Sequence, residues 1–241
     1  MSDVDRGDRH VFRFFVDVPG TPGARIELAA SDQHHARVLH GAQTQERVEV
    51  VDRDGVAWSA AFDGTSGAVM LDEQVGELHD PQVELLAFVT VGGRTDELVD
   101  AAVQAGATRI VPIVASDRDR AKVEQRAERL ARVATSAAKQ AKRAAVPTVV
   151  QPIGVDDLRA LPPGIVVDAD ADELLDGALV ARGSSTPTRL LIGGASGFPA
   201  GLVDELAATG WHRARLGHSI LRAELAAAVA VAIAAMHAPR T

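Results

Sequence analysis

The pattern of apolar and polar residues changes near residue 79, and the two parts of the chain predict different architectures. In the first part, short apolar or alternating runs are separated by turn residues such as Asp52–Gly55, a hairpin sequence. Ser31 can cap a short helix over residues 31–40. The runs predict strands at residues 11–16, 47–51 and 56–62. Several short strands with one helix indicate a small barrel.

The second part predicts an α/β domain with a mostly parallel sheet, because apolar strands alternate with helical segments after His79-Asp80-Pro81. The predicted strands are residues 83–91, 109–114, 148–151, 164–168, 190–192 and 214–216. The predicted helices are residues 95–105, 122–145, 155–159, 173–182 and 199–208, and an alanine-rich helix that follows residue 222. The predicted domains are therefore residues 1–78 and 79–241.

Two of the predicted strands near the C-terminus end in loops that contain glycine. The first loop is Gly193–Gly197 and the second is Gly217–Ser219. Glycine lets a ligand approach backbone N–H and C=O groups, because no side chain stands in the way. Neither loop has the spacing of a dinucleotide fingerprint, a Walker A motif or a serine-hydrolase elbow. The pattern alone leaves open whether the loops are ordinary turns or the wall of a binding site.

Charge is distributed unevenly along the chain. The formal net charge is −8, but residues 118–143 hold nine Lys or Arg and three Asp or Glu, a net of +6 that leaves −14 for the remainder. A positive segment on an acidic protein is typical of a localised contact with a polyanion. The alternative is a solvated helix face with internal ion pairs four residues apart, and charge alone does not decide between the two.

Composition excludes several classes of site. The chain has no cysteine, which removes disulfides and thiolate metal sites. No carboxylate or cysteine stands at ligand spacing from His34, His35 and His40, so we interpret these as solvated or hydrogen-bonded side chains and expect no metal. The first ten residues are too charged for a secretory signal, and no apolar run reaches membrane-spanning length. We therefore expect a cytoplasmic protein without membrane contact.

Several stretches together resemble the SPOUT class of RNA methyltransferases. Within that class they are most similar to the RsmE-type family, which methylates N3 of a uridine in small-subunit (16S) ribosomal RNA. The most specific likeness is to the family's two cofactor loops, in LIGGASGF (191–198) and LGHSILRAELA (216–226). The other matching stretches are residues 10–16, 34–40 and 47–55 for its small RNA-binding barrel, 95–118 for its first helix and second strand, and 127–147 for its RNA-facing helix.

The resemblance implies a fold and a cofactor. The fold is an N-terminal PUA-like or OB-like β-barrel followed by a C-terminal SPOUT domain with a parallel sheet and a deep trefoil knot. The family's enzymes are homodimers with S-adenosylmethionine in the knot, at the dimer interface. Three walls would hold the adenosyl group, largely through backbone atoms. In this sequence the walls are Val167, Asp168 and Ala169; Ile192, Gly193, Gly194 and Gly197; and Leu216, Gly217, Ile220, Leu221 and Glu224.

The same motifs imply roles in catalysis and RNA binding. Arg222 is expected to orient the substrate or to stabilise a uridine anion, and the alternative is an ion pair with Glu224 or with the partner chain. The expected substrate is ribosomal RNA, in the small subunit or in its assembly particle. The expected RNA-binding residues are Gln140 and Arg143, which match the family's RNA-facing helix, and Arg118, Lys139 and Lys142, which would hold phosphates.

Three positions differ from the family's usual motifs. Gly194-Ala195 replaces Pro-Glu in the first cofactor loop, Leu225 replaces Thr after Glu224, and Val103-Gln104 replaces Thr-Glu in the first helix. Two alternatives to a uridine-N3 methyltransferase therefore stay open. One is a knotted dimer that binds RNA or a nucleotide without transferring methyl groups, and the other is a methyltransferase with a different target.

Overall fold

The chain forms two compact units. The computed structural model describes residues 11–40, 47–63, 67–89, 93–183 and 187–238, without the side chains of residues 35 and 37–40. Residues up to His79, together with Lys142–Ala145, form the first unit. Asp80–Ala141 and the residues from Val146 onward form the second unit. The short segment 142–145 therefore lies with the N-terminal residues, although it is far from them in sequence.

The N-terminal unit is a five-stranded, curled sheet with one helix. Its elements are β1 (Arg13–Phe15), β2 (Arg25–Glu27), α1 (Ala30–His40), β3 (Arg47–Val51), β4 (Val56–Phe62) and β5 (Ala68–Glu77). The strand order is β1-β3-β4-β5-β2, with β1 parallel to β3 and the other pairs antiparallel. Register shifts between β4 and β5 bend the sheet around its apolar face. The buried core includes Phe14, Val48, Val50, Trp58, Phe62 and Leu71.

The hairpin turn between β3 and β4 is organised by one buried carboxylate, Asp52. Its oxygens accept hydrogen bonds from the backbone N–H groups of Gly20 (2.9 Å), Asp54 (2.9 Å) and Val56 (3.0 Å), and from Trp58 Nε1 (3.0 Å). Burial raises the pKa of Asp52, but these four donors outweigh it, so the pKa lies below its ordinary value. The charged form of Asp52 therefore stabilises this unit.

We expect Asp52→Asn to lower the free energy of unfolding of the N-terminal unit by about 2–3 kcal/mol, because an amide nitrogen cannot accept the bonds from Gly20 and Trp58. The folded-state pKa is depressed, so the stabilisation is complete above the unfolded-state pKa of about 3.9 and is lost as pH falls through the folded-state pKa. Urea denaturation from pH 7 to pH 2 measures both effects. Asp54→Asn, at an exposed neighbour, is the control and should change little.

The C-terminal unit is a seven-stranded parallel sheet with helices. Its strands are β6 (Val83–Phe88), β7 (Arg109–Val114), β8 (Thr148–Val149), β9 (Ile153–Gly154), β10 (Ile165–Val167), β11 (Thr188–Ile192) and β12 (His212–Ala214). Its helices are α2 (Gly93–Ala105), α3 (Asp117–Glu124), α4 (Ala127–Gln140), α5 (Val155–Arg159), α6 (Leu175–Arg182), α7 (Leu202–Ala208) and α8 (Ala223–His237). The order is β12-β10-β11-β6-β7-β8, and β9 pairs with β7 beyond β8. The predicted fold class, a parallel α/β sheet with a separate barrel-like unit, is confirmed; the trefoil knot stays a prediction.

A buried carboxylate joins the three central strands. Glu84 of β6 accepts a hydrogen bond from Arg109 Nε on β7 (3.0 Å), and it forms an ion pair with Arg189 on β11. Both arginines are the direct cross-strand partners of Glu84. A register slip on either side would leave this carboxylate buried without a partner, which is costly. Glu84 therefore helps to specify which residues stand at the carboxyl ends of β6 and β11.

Several element boundaries differ from the sequence-based prediction, and Ser31, which was predicted to cap the first helix, lies inside α1 because that helix begins at Ala30. The predicted helix over residues 122–145 is two helices, α3 and α4, and α4 ends at Gln140. Ser116 starts α3 early, because its side chain accepts a hydrogen bond from the backbone N–H of Asp119 (3.2 Å). The chain leaves α4 through Lys142, a non-glycine residue in the left-handed region at φ 51°. The strand predicted over 214–216 lies at His212–Ala214, and the helix predicted from 199 begins at Leu202.

Candidate functional site

A cavity of about 620 Å³ opens at the carboxyl ends of the parallel strands. Its walls are the segments that follow β6, β10, β11 and β12, together with the first turns of α2 and α8. In parallel α/β sheets, ligands bind at this edge, because the loops that leave the strands there can close around them. The volume lies within the usual range for small-molecule sites. The fold therefore places one ligand-sized site at the glycine loops.

Every residue predicted to form the three walls lines this cavity, and so does Arg222. The first wall follows β10, the second follows β11, and the third lies between β12 and α8. The structure thus brings together three segments that are up to 57 positions apart, from 167 to 224. The residues are Val167, Asp168, Ala169, Ile192, Gly193, Gly194, Gly197, Leu216, Gly217, Ile220, Leu221 and Glu224.

The loop after β11 is closed by its own backbone. Gly194 and Gly197 exchange two N–H···O=C hydrogen bonds, of 3.1 and 2.9 Å, and Gly197 has φ 77°. A Cβ atom at Gly193 would lie 3.1 Å from the carbonyl carbon of Gly197, which is closer than side-chain carbons normally come. Glycine at position 193 therefore permits this tight loop, and backbone atoms form the surface that it presents to the cavity.

Gly217 differs from Gly193, because the protein itself leaves space for a Cβ atom at this position. A Cβ atom built at this position meets no other atom within 4 Å, and the backbone does not have a positive φ that would exclude a side chain. The folded protein alone therefore does not require glycine here. Because Gly217 lines the cavity, the space that a side chain would enter is the space that a ligand would occupy.

Asp168 is held by an ion pair at the edge of the cavity. Arg213 donates two hydrogen bonds to Asp168 Oδ2, from Nε (3.0 Å) and Nη2 (2.6 Å), and a weaker one from Nη1 to Asp204 (3.4 Å). Hydrogen bonding to Asp168 raises the pKa of Arg213 above its ordinary value. Asp168 Oδ1 accepts from the backbone N–H of Asp170 (3.2 Å). The carboxylate thus fixes the turn after β10, and its charge is already compensated.

Arg222 is exposed and stands immediately before α8 as its N-cap residue. Among the described residues, no ion pair joins Arg222 to Glu224, which was one half of the alternative considered for this residue. Its guanidinium is therefore available to a ligand in the cavity. The neighbouring Ile220 is 89% exposed, so the loop between β12 and α8 also presents an apolar side chain to the outside.

The residues predicted to bind RNA lie outside the cavity lining. Arg118, Gln140 and Lys142 are exposed, and Lys139 is half-buried. Arg143 is only 6% exposed and belongs to the segment that lies in the N-terminal unit. Arg13 also donates hydrogen bonds to the carbonyl groups of Lys142 and Arg143, the latter at 2.7 Å. A buried guanidinium does not present its charge to a phosphate, so Arg143 fits a structural role better.

The ion pairs of α3 and α4 differ from the predicted alternative of pairs four residues apart. Asp96 of α2 accepts from Arg126 Nη2 (2.8 Å) and from Arg129 Nε (2.5 Å), and its side chain is 13% exposed. Arg120 donates to the carbonyl oxygen of Pro152 (2.7 Å). Several of the cations counted in residues 118–143 are therefore paired with groups on neighbouring elements.

Sequence reasoning missed several residues at both surfaces. Arg94, Thr95 and Leu98 of α2 line the cavity, as do Phe88 and Phe198, whose rings meet edge to face at 6.0 Å between centroids. Nothing in the sequence marks the α2 residues, since only the sheet order shows that their helix follows a central strand whose carboxyl end faces the site. On α4, Arg132 is exposed and forms no ion pair among the described residues. It belongs with the candidate polyanion contacts.

The part of the chain that the structure describes has neither a metal-binding cluster nor a membrane-spanning helix. No group of three or more His, Asp or Glu side chains there is placed to hold a metal ion. His34 is exposed, whereas the side chains of His35 and His40 lie outside the described residues. Among the described helices, none has the length and apolarity needed to cross a membrane.

Comparisons with known proteins agree with this geometry. Residues 78–235 match the family model described as an RNA methyltransferase domain. The ribosomal RNA small subunit methyltransferase E of Neisseria gonorrhoeae, solved with S-adenosyl methionine, is 24% identical and similar in structure, with a TM-score of 0.79 over 92% of this chain and 96% of that one. A Legionella pneumophila protein solved with the same bound cofactor is 18% identical, with a TM-score of 0.79 over 93% and 97%. A search of curated proteins finds no match.

Proposed function

The chain belongs to the RNA methyltransferase family, and we propose that it is an S-adenosylmethionine-dependent enzyme that methylates N3 of a uridine in 16S ribosomal RNA. The observation that carries this proposal is the cavity, whose lining contains all twelve residues expected to hold the cofactor. The Neisseria gonorrhoeae and Legionella pneumophila structures, which share the fold, were solved with S-adenosylmethionine bound.

The residues present fit an adenosyl ligand. Three glycines of the loop after β11 and the space at Gly217 leave backbone groups accessible, and an adenine edge can be recognised by backbone N–H and C=O groups. Apolar side chains of Ile192, Leu216 and Leu221 line the same cavity. When bound, the cofactor supplies a methyl group on a sulfonium sulfur. A neutral thioether leaves when the methyl group is transferred to nitrogen, and a neutral thioether is a good leaving group.

The protein's own contribution is to position the base and to stabilise its charge. N3 of uridine must lose its proton to solvent, and this loss places negative charge on the base as it becomes a nucleophile. Arg222 is exposed and lines the cavity, so its guanidinium can hold this anion. Fixing the base beside the methyl donor supplies much of the remaining acceleration, since transfer then no longer depends on a chance encounter.

Ribosomal RNA is the proposed substrate, either in the small subunit or in its assembly particle. Arg118, Lys139, Gln140 and Lys142 would contact it, and we add Arg132 and leave out Arg143. Basic and polar residues on a helix position RNA through its phosphates. A target base inside folded RNA would have to be splayed out of its stack to enter the cavity.

The homodimer and the knot belong to the same proposal. The outer face of α8 exposes Leu225 (51%) and Met236 (76%), with the partly exposed Val229 and the exposed Ala232 between them at helical spacing. A second copy of the chain covering this stripe would bury apolar surface beside the cavity. The proposed cytoplasmic location follows from the substrate.

A second candidate function is a knotted dimer that binds RNA or a nucleotide without methyl transfer. It is favoured by Gly194-Ala195 and Leu225, which replace the polar residues usual in the family's motifs. A methyltransferase with another target is compatible with the same differences. We regard methyl transfer as the better proposal because all twelve residues expected to hold the cofactor line one cavity.

Transfer of a radiolabelled methyl group from S-adenosylmethionine to a 16S ribosomal RNA transcript and to purified small subunits tests the proposal. Nucleoside mass spectrometry should then find 3-methyluridine. A methylated nucleoside of another type would support the different-target alternative. Cofactor or RNA binding without any transfer would favour the binding protein.

We expect the affinity for RNA to depend on the exposed cations of α3 and α4 and on Lys142, which lies two residues after the end of α4. Arg118→Ala, Arg132→Ala and Lys142→Ala should each lower the slope of log K against log salt by about 0.7–0.9, because each removes one phosphate contact. Fluorescence anisotropy with labelled RNA between 50 and 300 mM salt, roughly the range over which such contacts are screened, measures the slope. Arg159→Ala is the control, since Arg159 lies outside α3 and α4 and is paired with Glu205 of α7 (2.7 Å). Equal slopes in all four variants would contradict this assignment.

A further inference from the structure

Arg222 is not the only guanidinium in the cavity lining. Arg94 stands in the first turn of α2, is exposed, and lines the cavity together with Thr95 and Leu98. No ion pair involves the Arg94 side chain among the described residues, although Asp96 and Glu97 follow it directly. The cavity therefore has a second positive charge, on a different element from the first.

Two carboxylates near Arg94, on α2 and in the cavity lining, are paired with other arginines. Asp96 accepts from Arg126 and Arg129 on α4, at 2.8 and 2.5 Å, and its side chain is 13% exposed. Asp168 on the other side of the cavity is paired with Arg213. An anion that enters the cavity near Arg94 thus meets a guanidinium with its hydrogen-bonding groups available.

The chemistry of a guanidinium indicates the kind of ligand. Its planar fork binds the two oxygens of a phosphate or a carboxylate. The proposed cofactor brings a positive sulfonium, a positive ammonium and one carboxylate, so it adds net positive charge to a cavity that already contains Arg94 and Arg222. Asp170 and Glu224, which also line the cavity, can compensate part of that charge. A phosphodiester from the substrate would compensate the rest.

We propose that Arg94 binds the phosphate next to the target nucleotide and so positions that nucleotide, which makes Arg94 a substrate-positioning residue. This inference rests on the proposed function. Arg222 immediately precedes α8 and Arg94 lies in the first turn of α2, so the two guanidiniums reach the cavity from different elements. One nucleotide would then be held at two points, its base at Arg222 and its phosphate at Arg94. Two contacts fix the orientation of the base, which a single contact cannot do.

Two affinities separate a phosphate from the cofactor carboxylate as the anion that Arg94 binds. We would measure binding of S-adenosylhomocysteine by calorimetry without RNA, and binding of a 16S ribosomal RNA transcript by anisotropy without cofactor. Arg94→Ala is expected to weaken RNA binding about tenfold and to lower the salt slope by about 1, with the S-adenosylhomocysteine affinity within about twofold of wild type. Arg94→Lys should recover part of the RNA affinity, because it keeps the charge but not the fork.

The control is Glu97→Gln, which changes the charge by one unit in the opposite direction, in the same helical turn, at a residue that does not line the cavity. It should alter RNA affinity by less than about twofold if the contact of Arg94 is local. Weaker S-adenosylhomocysteine binding in Arg94→Ala would assign Arg94 to the cofactor carboxylate and overturn the proposal. Unchanged RNA affinity would overturn it as well.

The same variants show which proposal fails. If wild-type protein transfers no methyl group but Arg94→Ala still weakens RNA binding, the methyltransferase proposal fails and the phosphate site stands. If wild-type protein is active and Arg94→Ala has the same KM and kcat as wild type, the phosphate-site proposal fails and the methyltransferase proposal stands.

Discussion

Arg222→Ala should lower kcat for methyl transfer by about 100- to 1000-fold while the protein stays folded and keeps its cofactor affinity. The reason is that the guanidinium is proposed to stabilise charge that develops on the uridine only as N3 loses its proton. Arg222 is exposed and forms no ion pair within the described part of the chain, so its removal leaves no buried partner unpaired. Single-turnover kinetics with saturating cofactor and RNA measures the loss directly.

Two comparisons make this result specific. Arg222→Lys keeps the positive charge without the planar fork, so it should recover part of the rate. The loss should also shrink at high pH, because more of the uridine is already deprotonated when it binds. A kcat for Arg222→Ala equal to that of wild type would remove this residue from the mechanism. A collapse of the thermal transition would show that the residue is structural.

The second large effect is expected for Gly217→Val, which should weaken S-adenosylmethionine binding by about 10- to 100-fold. A Cβ atom at this position meets no protein atom within 4 Å, and we expect the variant to fold as the wild type does. The valine would instead occupy the cavity beside the loop after β12. Isothermal titration calorimetry with the cofactor measures the affinity, and the melting temperature checks the fold.

Gly76→Val is the matched control. Gly76 lies on β5 in the N-terminal unit, and a Cβ atom there also meets no atom within 4 Å. Cofactor affinity should be unchanged in this variant. Gly193→Ala is a less useful probe, because the added carbon would contact the backbone of Gly197 and distort the loop itself. Undiminished affinity in Gly217→Val would place the ligand elsewhere in the chain.

Much of the fold could be predicted from local pattern. Apolar runs bounded by glycine, proline and charged residues mark β6, β7 and β11 correctly, because each is a buried central strand. The cavity lining could be predicted because a loop that must approach a ligand closely leaves a visible trace, namely glycine directly after a strand. Gly193 stands directly after β11 and Gly217 stands three residues after the end of β12, and the motif resemblance supplied the first wall, after β10.

What could not be predicted depends on contacts between segments that are distant in sequence. The break between α3 and α4 has no proline or glycine to mark it. The burial of Arg143 depends on segment 142–145 lying with the N-terminal unit, more than a hundred residues away from Arg13. Arg94 was missed because an arginine at the start of a helix is usually solvated, and only the sheet order shows that its helix begins at the cavity.

Asp96 on α2 pairs with two arginines at the start of α4 and so affects the charge that α4 presents. Arg126 and Arg129 are bound to a carboxylate on α2, so the charge that α4 offers to RNA is set partly by a residue on another helix. A single neutralising change at position 96 would remove a carboxylate that two cations share, without altering any residue of α4. The RNA affinity proposed for α4 can therefore change through mutations outside α4, and the count of Lys and Arg in a helix overstates what it can offer to a polyanion.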